Sequence, residues 1–227
     1  MKKMSVVTGL CVVTLSVALS GCSSKTESKP AASASNETSS AAPSSLVLPD
    51  KPTGPHMTIA DYVEQNKIIE APVTKDEPGA PTVHFAMPPD WVAAGARKPA
   101  WAYGAIVYDK AKNPADPPFM TAIYSKLTGN VDAAKVLEYA PGMLENLPGY
   151  EQDGDFKKET LSGFESIAFQ GSYLQDNVRR YIAQKTVVIP KGDALFVLQL
   201  NADAPLGQDD VIKEAAGVIN RETKITV

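Results

Sequence analysis

Few side chains in this 227-residue chain are equipped for covalent chemistry, and their spacing argues against most of it. There are two histidines, His56 and His84. A Ser-His-Asp triad would have to use one of them. His84 falls in a strand-like stretch, and no Gly-x-Ser-x-Gly elbow occurs in the chain. A zinc site fares no better, because His-Glu-x-x-His is absent. Asp153-Gly154-Asp155 places two carboxylates on one turn but lacks the further oxygen ligands of a calcium loop, so it reads as a solvated turn. No glycine-rich phosphate loop is present. Asp109, Asp116 and Asp203 could supply a pair of carboxylates for glycoside hydrolysis, but no local rule brings them together. The chain is therefore not expected to be an enzyme, and a weak hydrolase using His84 is the residual catalytic reading.

The cysteines carry a sharper signal. Cys11 and Cys22 are the only two. A basic start, Met1-Lys2-Lys3-Met4, leads into an apolar run from Val6 to Leu19, too short and wrongly flanked for a spanning helix. It closes on Leu19-Ser20-Gly21-Cys22, which resembles the lipobox of bacterial lipoprotein precursors. That resemblance implies a signal peptide over residues 1–21, transfer of a diacylglyceryl group to the Cys22 thiol, and cleavage that leaves Cys22 first. Each buried methylene is worth roughly 0.8 kcal/mol, so two acyl chains tether where one does not. The expected location is the extracytoplasmic face of the cell membrane. With Cys11 discarded and Cys22 acylated, the folded part has no thiol, disulfide or cysteine metal ligand, and no cofactor is expected. Losing Lys2 and Lys3 with the leader makes the formal charge of -4 two units more negative. An acidic body argues against nucleic acid as a partner.

The elements that must position any site begin after a tether. Residues 22–56 are Ser-, Ala- and Pro-rich, with too little apolar surface to fold, and at roughly 5–6 Å × √n they reach on the order of 30 Å. A single domain is expected over 57–227. Thr58 caps a predicted helix from Ile59 to about Lys67. Strands are predicted over Thr82–Met87, Tyr103–Tyr108 and Phe119–Leu127. A helix starting at Asn130 or Asp132 meets Pro141, which kinks or ends it. Four strands follow, over Phe156–Leu161, Phe164–Gln175, Val178–Ile189 and Asp193–Asn201, joined at Asp176-Asn177 and Pro190-Lys191-Gly192-Asp193. The last helix spans Gln208 to Arg221. The order α-βββ-α-ββββ-α describes an α+β fold, an antiparallel sheet flanked by helices.

Pairing Gln175 with Val178, and Ile189 with Ala194, sorts these strands into two faces. One is mostly apolar and should meet the helices: Tyr181, Ala183, Val187, Phe196, Leu198 and Leu200, with Gln170 and Lys185. The other mixes rings with amides: Phe169, Tyr173, Gln184, Gln199 and Asn201, beside Gly171, Ile182, Thr186 and Val197. Rings offer apolar surface to sugar C–H groups and amides bond hydroxyls, so those five are the candidate ligand-binding residues. A solvated face with satisfied amides is the competing reading. Trp91 and Trp101 flank a glycine- and proline-bearing stretch and are read as packing at the edge of the core.

Six segments in order are similar to the LpqN/LpqT lipoproteins of mycobacteria and related actinobacteria. They are Thr58-Ile59-Ala60-Asp61-Tyr62, Leu127-Thr128-Gly129, Asn146-Leu147-Pro148-Gly149, Gly171-Ser172-Tyr173, Ala183 through Pro190, and Phe196 through Asp203. The resemblance covers the whole domain as well as the lipobox-and-linker layout. It implies a Mog1/PsbP-like fold and a non-enzymatic role in the envelope: binding trehalose-type glycolipids beside MmpL-type lipid transporters, in their transport or in cell-wall biogenesis. A protein-interaction module without a lipid site is the alternative.

Overall fold

The computed structural model describes residues 54–227. The signal peptide read over 1–21, the acylated Cys22 and the tether as far as residue 53 lie outside the described residues.

The chain enters α1 (Ile59–Gln65) through Thr58. The Thr58 hydroxyl accepts from the Asp61 N–H at 3.1 Å, and the Asp61 carboxylate accepts from the Thr58 N–H at 3.0 Å. This reciprocal box satisfies two N–H groups that the first turn leaves open. Five strands follow: β1 (Ile69–Pro72), β2 (Thr82–His84), β3 (Trp91–Ala93), β4 (Gly104–Tyr108) and β5 (Phe119–Thr128), with a 3-10 turn at Gly95–Arg97. Asp132 caps α2 (Ala133–Tyr139), accepting from the Ala134 N–H at 2.8 Å. Pro141 stands between α2 and α3 (Gly142–Glu145), where it lacks the N–H to extend one helix and has the φ that starts the next. Next come β6 (Glu151–Gln152), β7 (Lys157–Leu161), β8 (Phe164–Gln175), β9 (Val178–Lys191) and β10 (Ala194–Pro205), then α4 (Asp209–Glu222) and β11 (Lys224–Thr226).

Nine strands make one antiparallel sheet in the order β3-β4-β5-β10-β9-β8-β6, with β1 also on β5 and β7 also on β8. The long strands β8, β9 and β10 are joined by two-residue turns. At the first, Asp176 and Asn177 both have positive φ, 50° and 62°, and Gln175 pairs with Val178 as expected. The second is tighter than expected. Lys191 pairs with Ala194 across Gly192-Asp193, with Gly192 at φ 61°, so Ile189 faces Phe196 instead of Ala194. That is a shift of two residues, and a side-chain period of two leaves both faces as read.

Helices cover both faces. On the amide-bearing face, α1 and α2 close over Leu127, Val188, Leu195 and Val197. On the same face α3 brings Leu144 onto Ile167, Phe169 and Ile182. On the other face Ile212 and Ala215 of α4 pack on Met120, Ala202 and Ala204, with Trp91 and Tyr181 beside them. The stretch expected as a strand over Thr82–Met87 is shorter and leaves the main sheet. β2 pairs with β11 as a separate ribbon, through which Val83 and Ile225 reach Tyr124, Phe196 and Leu198. Of the two tryptophans, Trp91 is buried and Trp101 is 43% exposed.

Candidate ligand groove

A cavity of about 530 Å³ lies between α4 and the apolar face of the sheet. It reaches from Gly104 and Ile106 on β4, across Met120 and Ala122 on β5, to Ala168 and Gln170 on β8 and Lys157 and Glu159 on β7. Small side chains create the space. Ala183 stands directly opposite Ala202 in the register, and Ala216 and Gly217 of α4 line the same space. Large β-branched residues at these positions would fill the gap, so a helix rests on the sheet here without closing it.

Polar groups gather at the β7–β8 end. Lys185, buried in the face, donates to Glu159 at 2.5 Å and to Asn220 of α4 at 2.7 Å. Gln170 donates to Asp153 at 2.8 Å and accepts from the Tyr181 hydroxyl at 2.9 Å. Burial pushes the Tyr181 phenol well above its ordinary pKa. Lys213 lies 5.6 Å over the Tyr181 ring and pairs with Asp209 at 2.7 Å. The opposite end is apolar, with Phe85 and Met87 exposed at its mouth beside Ile106 and Met120.

The five candidate ligand residues sit on the other face. Phe169 packs against the α2–α3 layer, and the Tyr173 hydroxyl donates to Asp203 at 2.8 Å. Gln184 donates to Asn201 at 2.6 Å, and both are buried. Gln199 remains partly exposed. The Gln184 Oε1 and Asn201 Nδ2 atoms are buried without a bonding partner among the described residues. Phe169, Gln184 and Asn201 border the cavity where their strands form its floor, whereas Tyr173 and Gln199 are not part of its lining. The amide-bearing face is not the solvated surface of the competing reading, because α1, α2 and α3 lie over it.

Two of the carboxylates considered for acid–base work do converge. Asp116 and Asp203 both hold Arg180, which lies between them on β9. Asp116 takes a two-pronged contact at 2.7 and 3.0 Å, and Asp203 accepts from Nε at 2.9 Å. Burial alone would lower the Arg180 pKa, but the hydrogen bonds and charges of Asp203 and Asp116 outweigh it and raise the pKa further. With each carboxylate turned onto one cation, the trio is a buried ion cluster that ties the β4–β5 loop to the sheet. Asp109 stands apart, exposed at the end of β4. His84 is exposed on β2 opposite Lys224. His56 sits 3.2 Å from Glu145, with its backbone N–H and carbonyl both bonded to Asn146. Asp153, Gly154 and Asp155 are exposed, as a solvated turn should be, and Asp153 also accepts from Gln170 at the groove's polar end.

No group of three or more His, Cys, Asp or Glu suited to a metal ion occurs among the described residues, and none of their helices is long and apolar enough to cross a membrane. Sequence reasoning passed over the alanines that make the groove. Their one visible signal is that alanine is a poor strand former, yet Ala168, Ala183 and Ala202 stand inside the longest strands.

Comparison with known proteins agrees with this architecture. The family model described as "Probable lipoprotein LpqN" matches residues 55–226. Lipoprotein LpqN of Mycobacterium tuberculosis (strain ATCC 25618 / H37Rv) is 49% identical over 175 residues, covering 76% of this chain and 75% of that protein. A crystal structure described as LpqN involved in cell envelope biogenesis of Mycobacterium tuberculosis superposes with a TM-score of 0.73 at 48% identity, over 77% of this chain and all of the other. With the family model spanning nearly all of the described residues and the antiparallel α+β architecture shared, this chain belongs to the LpqN lipoprotein family.

Proposed function

We propose that this chain is an envelope lipoprotein, anchored through Cys22 on the extracytoplasmic side of the cell membrane, that holds the hydrocarbon of a trehalose-type glycolipid and assists its transport or cell-wall biogenesis. The observation that carries this reading is the groove, about 530 Å³ of largely apolar space with polar groups gathered at one end. Such a volume is ordinary for a small-molecule site, and an apolar lining with few polar groups selects alkyl chains over soluble metabolites. The envelope role described for the Mycobacterium tuberculosis relative fits the same reading. The proposed role is binding and hand-over without catalysis, and MmpL-type lipid transporters are the partners that it pairs with. The polar end holds carboxylates and ammonium groups together, so neither an anionic nor a cationic head is favoured over an uncharged, hydroxyl-rich one.

Titration calorimetry with trehalose monoesters of increasing chain length tests this on residues 54–227, which include the part matched by the family model. Each added methylene is expected to tighten binding about fourfold, at roughly 0.8 kcal/mol per buried methylene, until the groove is full. Affinity that is absent, or indifferent to chain length, would refute lipid binding.

A further inference from the structure

The two ends of the groove differ in kind. From β4 to β7 the lining crosses five strand spacings, roughly 24 Å at about 4.8 Å each. The β4 end offers Ile106 and Met120, with Phe85 and Met87 at its mouth. The β7 end offers acceptors on Asp153, Asp155 and Glu159 and donors on Lys157 and Lys185. Lys185 is the innermost of these charges, 7% exposed, and it has three N–H donors. Two of them serve Glu159 and Asn220, which leaves one for an incoming oxygen.

We infer that the groove binds its amphiphile in one direction only, with the tail end lying toward Met120 and Phe85 and the head lodged between Glu159 and Lys157, where Lys185 reads it. This inference rests on the lipid-binding reading and adds to it an orientation and a specificity-determining residue. The physical reason is desolvation. A reversed ligand would bury hydroxyls among Ile106 and Met120, where they find no partner, and would press methylenes against the Lys185–Glu159 pair, stripping its water without replacing it. Hydrophobic burial is non-directional and favours neither orientation, so the polar end sets the direction. Asn220 belongs to α4 and Glu159 to the edge strand β7, so the same contact that reads the head also fixes the helix over the tail.

Trp91 is a built-in reporter, because it lies on β3, the edge strand beyond β4, where it pairs with Tyr108, and it packs in one cluster with Met120 and Ile212. Replacing the exposed Trp101 by phenylalanine leaves Trp91 as the single tryptophan. Trehalose monoesters brominated either at the chain terminus or next to the ester are then titrated into the Trp101→Phe chain, with calorimetry in parallel. Terminal bromine is expected to quench Trp91 several-fold more than head-proximal bromine at equal occupancy. Equal or inverted quenching overturns the orientation while leaving lipid binding intact, whereas no calorimetric binding of the unbrominated ester overturns the lipid-binding reading itself. For head reading, Lys185→Met and the exposed Lys157→Gln are compared by the ratio of affinities for the monoester and for the alcohol of the same chain length. A roughly tenfold fall in that ratio for Lys185→Met, and a smaller one for Lys157→Gln, is expected. An unchanged ratio in both overturns the role given to Lys185.

Discussion

Replacing Ala183 with leucine puts three more carbons into the groove from its sheet side, where Ala183 is only partly buried and faces Ala202. In a close-packed core that change would destabilise by about 1–3 kcal/mol through overpacking. Here the added carbons enter space that a ligand would otherwise fill. At roughly 0.8 kcal/mol per buried methylene, full burial of three stabilises the empty protein by about 2.4 kcal/mol, and half burial by about 1.2 kcal/mol. In a domain of this size each kcal/mol raises Tm by roughly 2–4 °C. The same three carbons displace about three methylenes of the ligand tail, so its affinity falls by about 2.4 kcal/mol, or roughly fiftyfold. The two effects have opposite signs, which general misfolding cannot imitate. Differential scanning calorimetry and titration with a trehalose monoester measure both on one preparation. A variant that melts lower, or that binds the monoester as tightly as the parent, would refute the assignment of this space to the tail.

Three further outcomes follow from other parts of the fold. Asp203→Ala leaves the buried Arg180 with Asp116 alone, and about 3 kcal/mol of stability should be lost in urea denaturation, while monoester affinity stays within about threefold because the ion cluster lies on the other face. Gly142→Ala should lower stability by about 1–3 kcal/mol although alanine favours helices, because its Cβ would stand 2.1 Å from the Met57 carbonyl oxygen; an unchanged urea midpoint would show that the entry to α1 yields freely. At alkaline pH, burial pushes the Tyr150 phenol up to about 12 and those of Tyr124, Tyr173 and Tyr181 likewise upward. Unfolded phenols ionise near 10, so above that pH the unfolded chain has lost protons that the folded chain keeps, and stability falls as pH rises through the raised values. Absorbance at 295 nm should show these four ionising only with unfolding, and normal titration of all eight tyrosines while circular dichroism stays native would contradict it.

Much of the architecture was legible because it depends on short-range rules. The Thr58 cap, the helix start at Asn130 or Asp132, the Pro141 break and the Asp176-Asn177 turn each involve residues at most three apart, and each governs the element beside it. The faces of β8, β9 and β10 followed from a period of two, and they survived a two-residue error in the second hairpin for the same reason. The family resemblance likewise needed only short runs of adjacent residues. The short strands β1, β3, β6 and β11 were missed, since two to four residues are too few to show alternation.

The site was a different matter. Periodicity gave the ring-and-amide face correctly, but only the tertiary structure shows that α1, α2 and α3 bury it and that the open space lies on the other side, under α4. An amphipathic helix of fourteen residues announces that it will pack. It does not announce how closely, because the distance is set by the sheet residues it meets, and Ala183 and Ala202 come together only through the β9–β10 register. Asp116, Arg180 and Asp203 come from three distant positions for the same reason. Sequence by itself determined the long elements, the faces of the long strands and the family of this chain. The groove and the ion cluster were decided by which small or charged side chains long-range pairing placed side by side, since volume and charge complementarity are properties of neighbours in space.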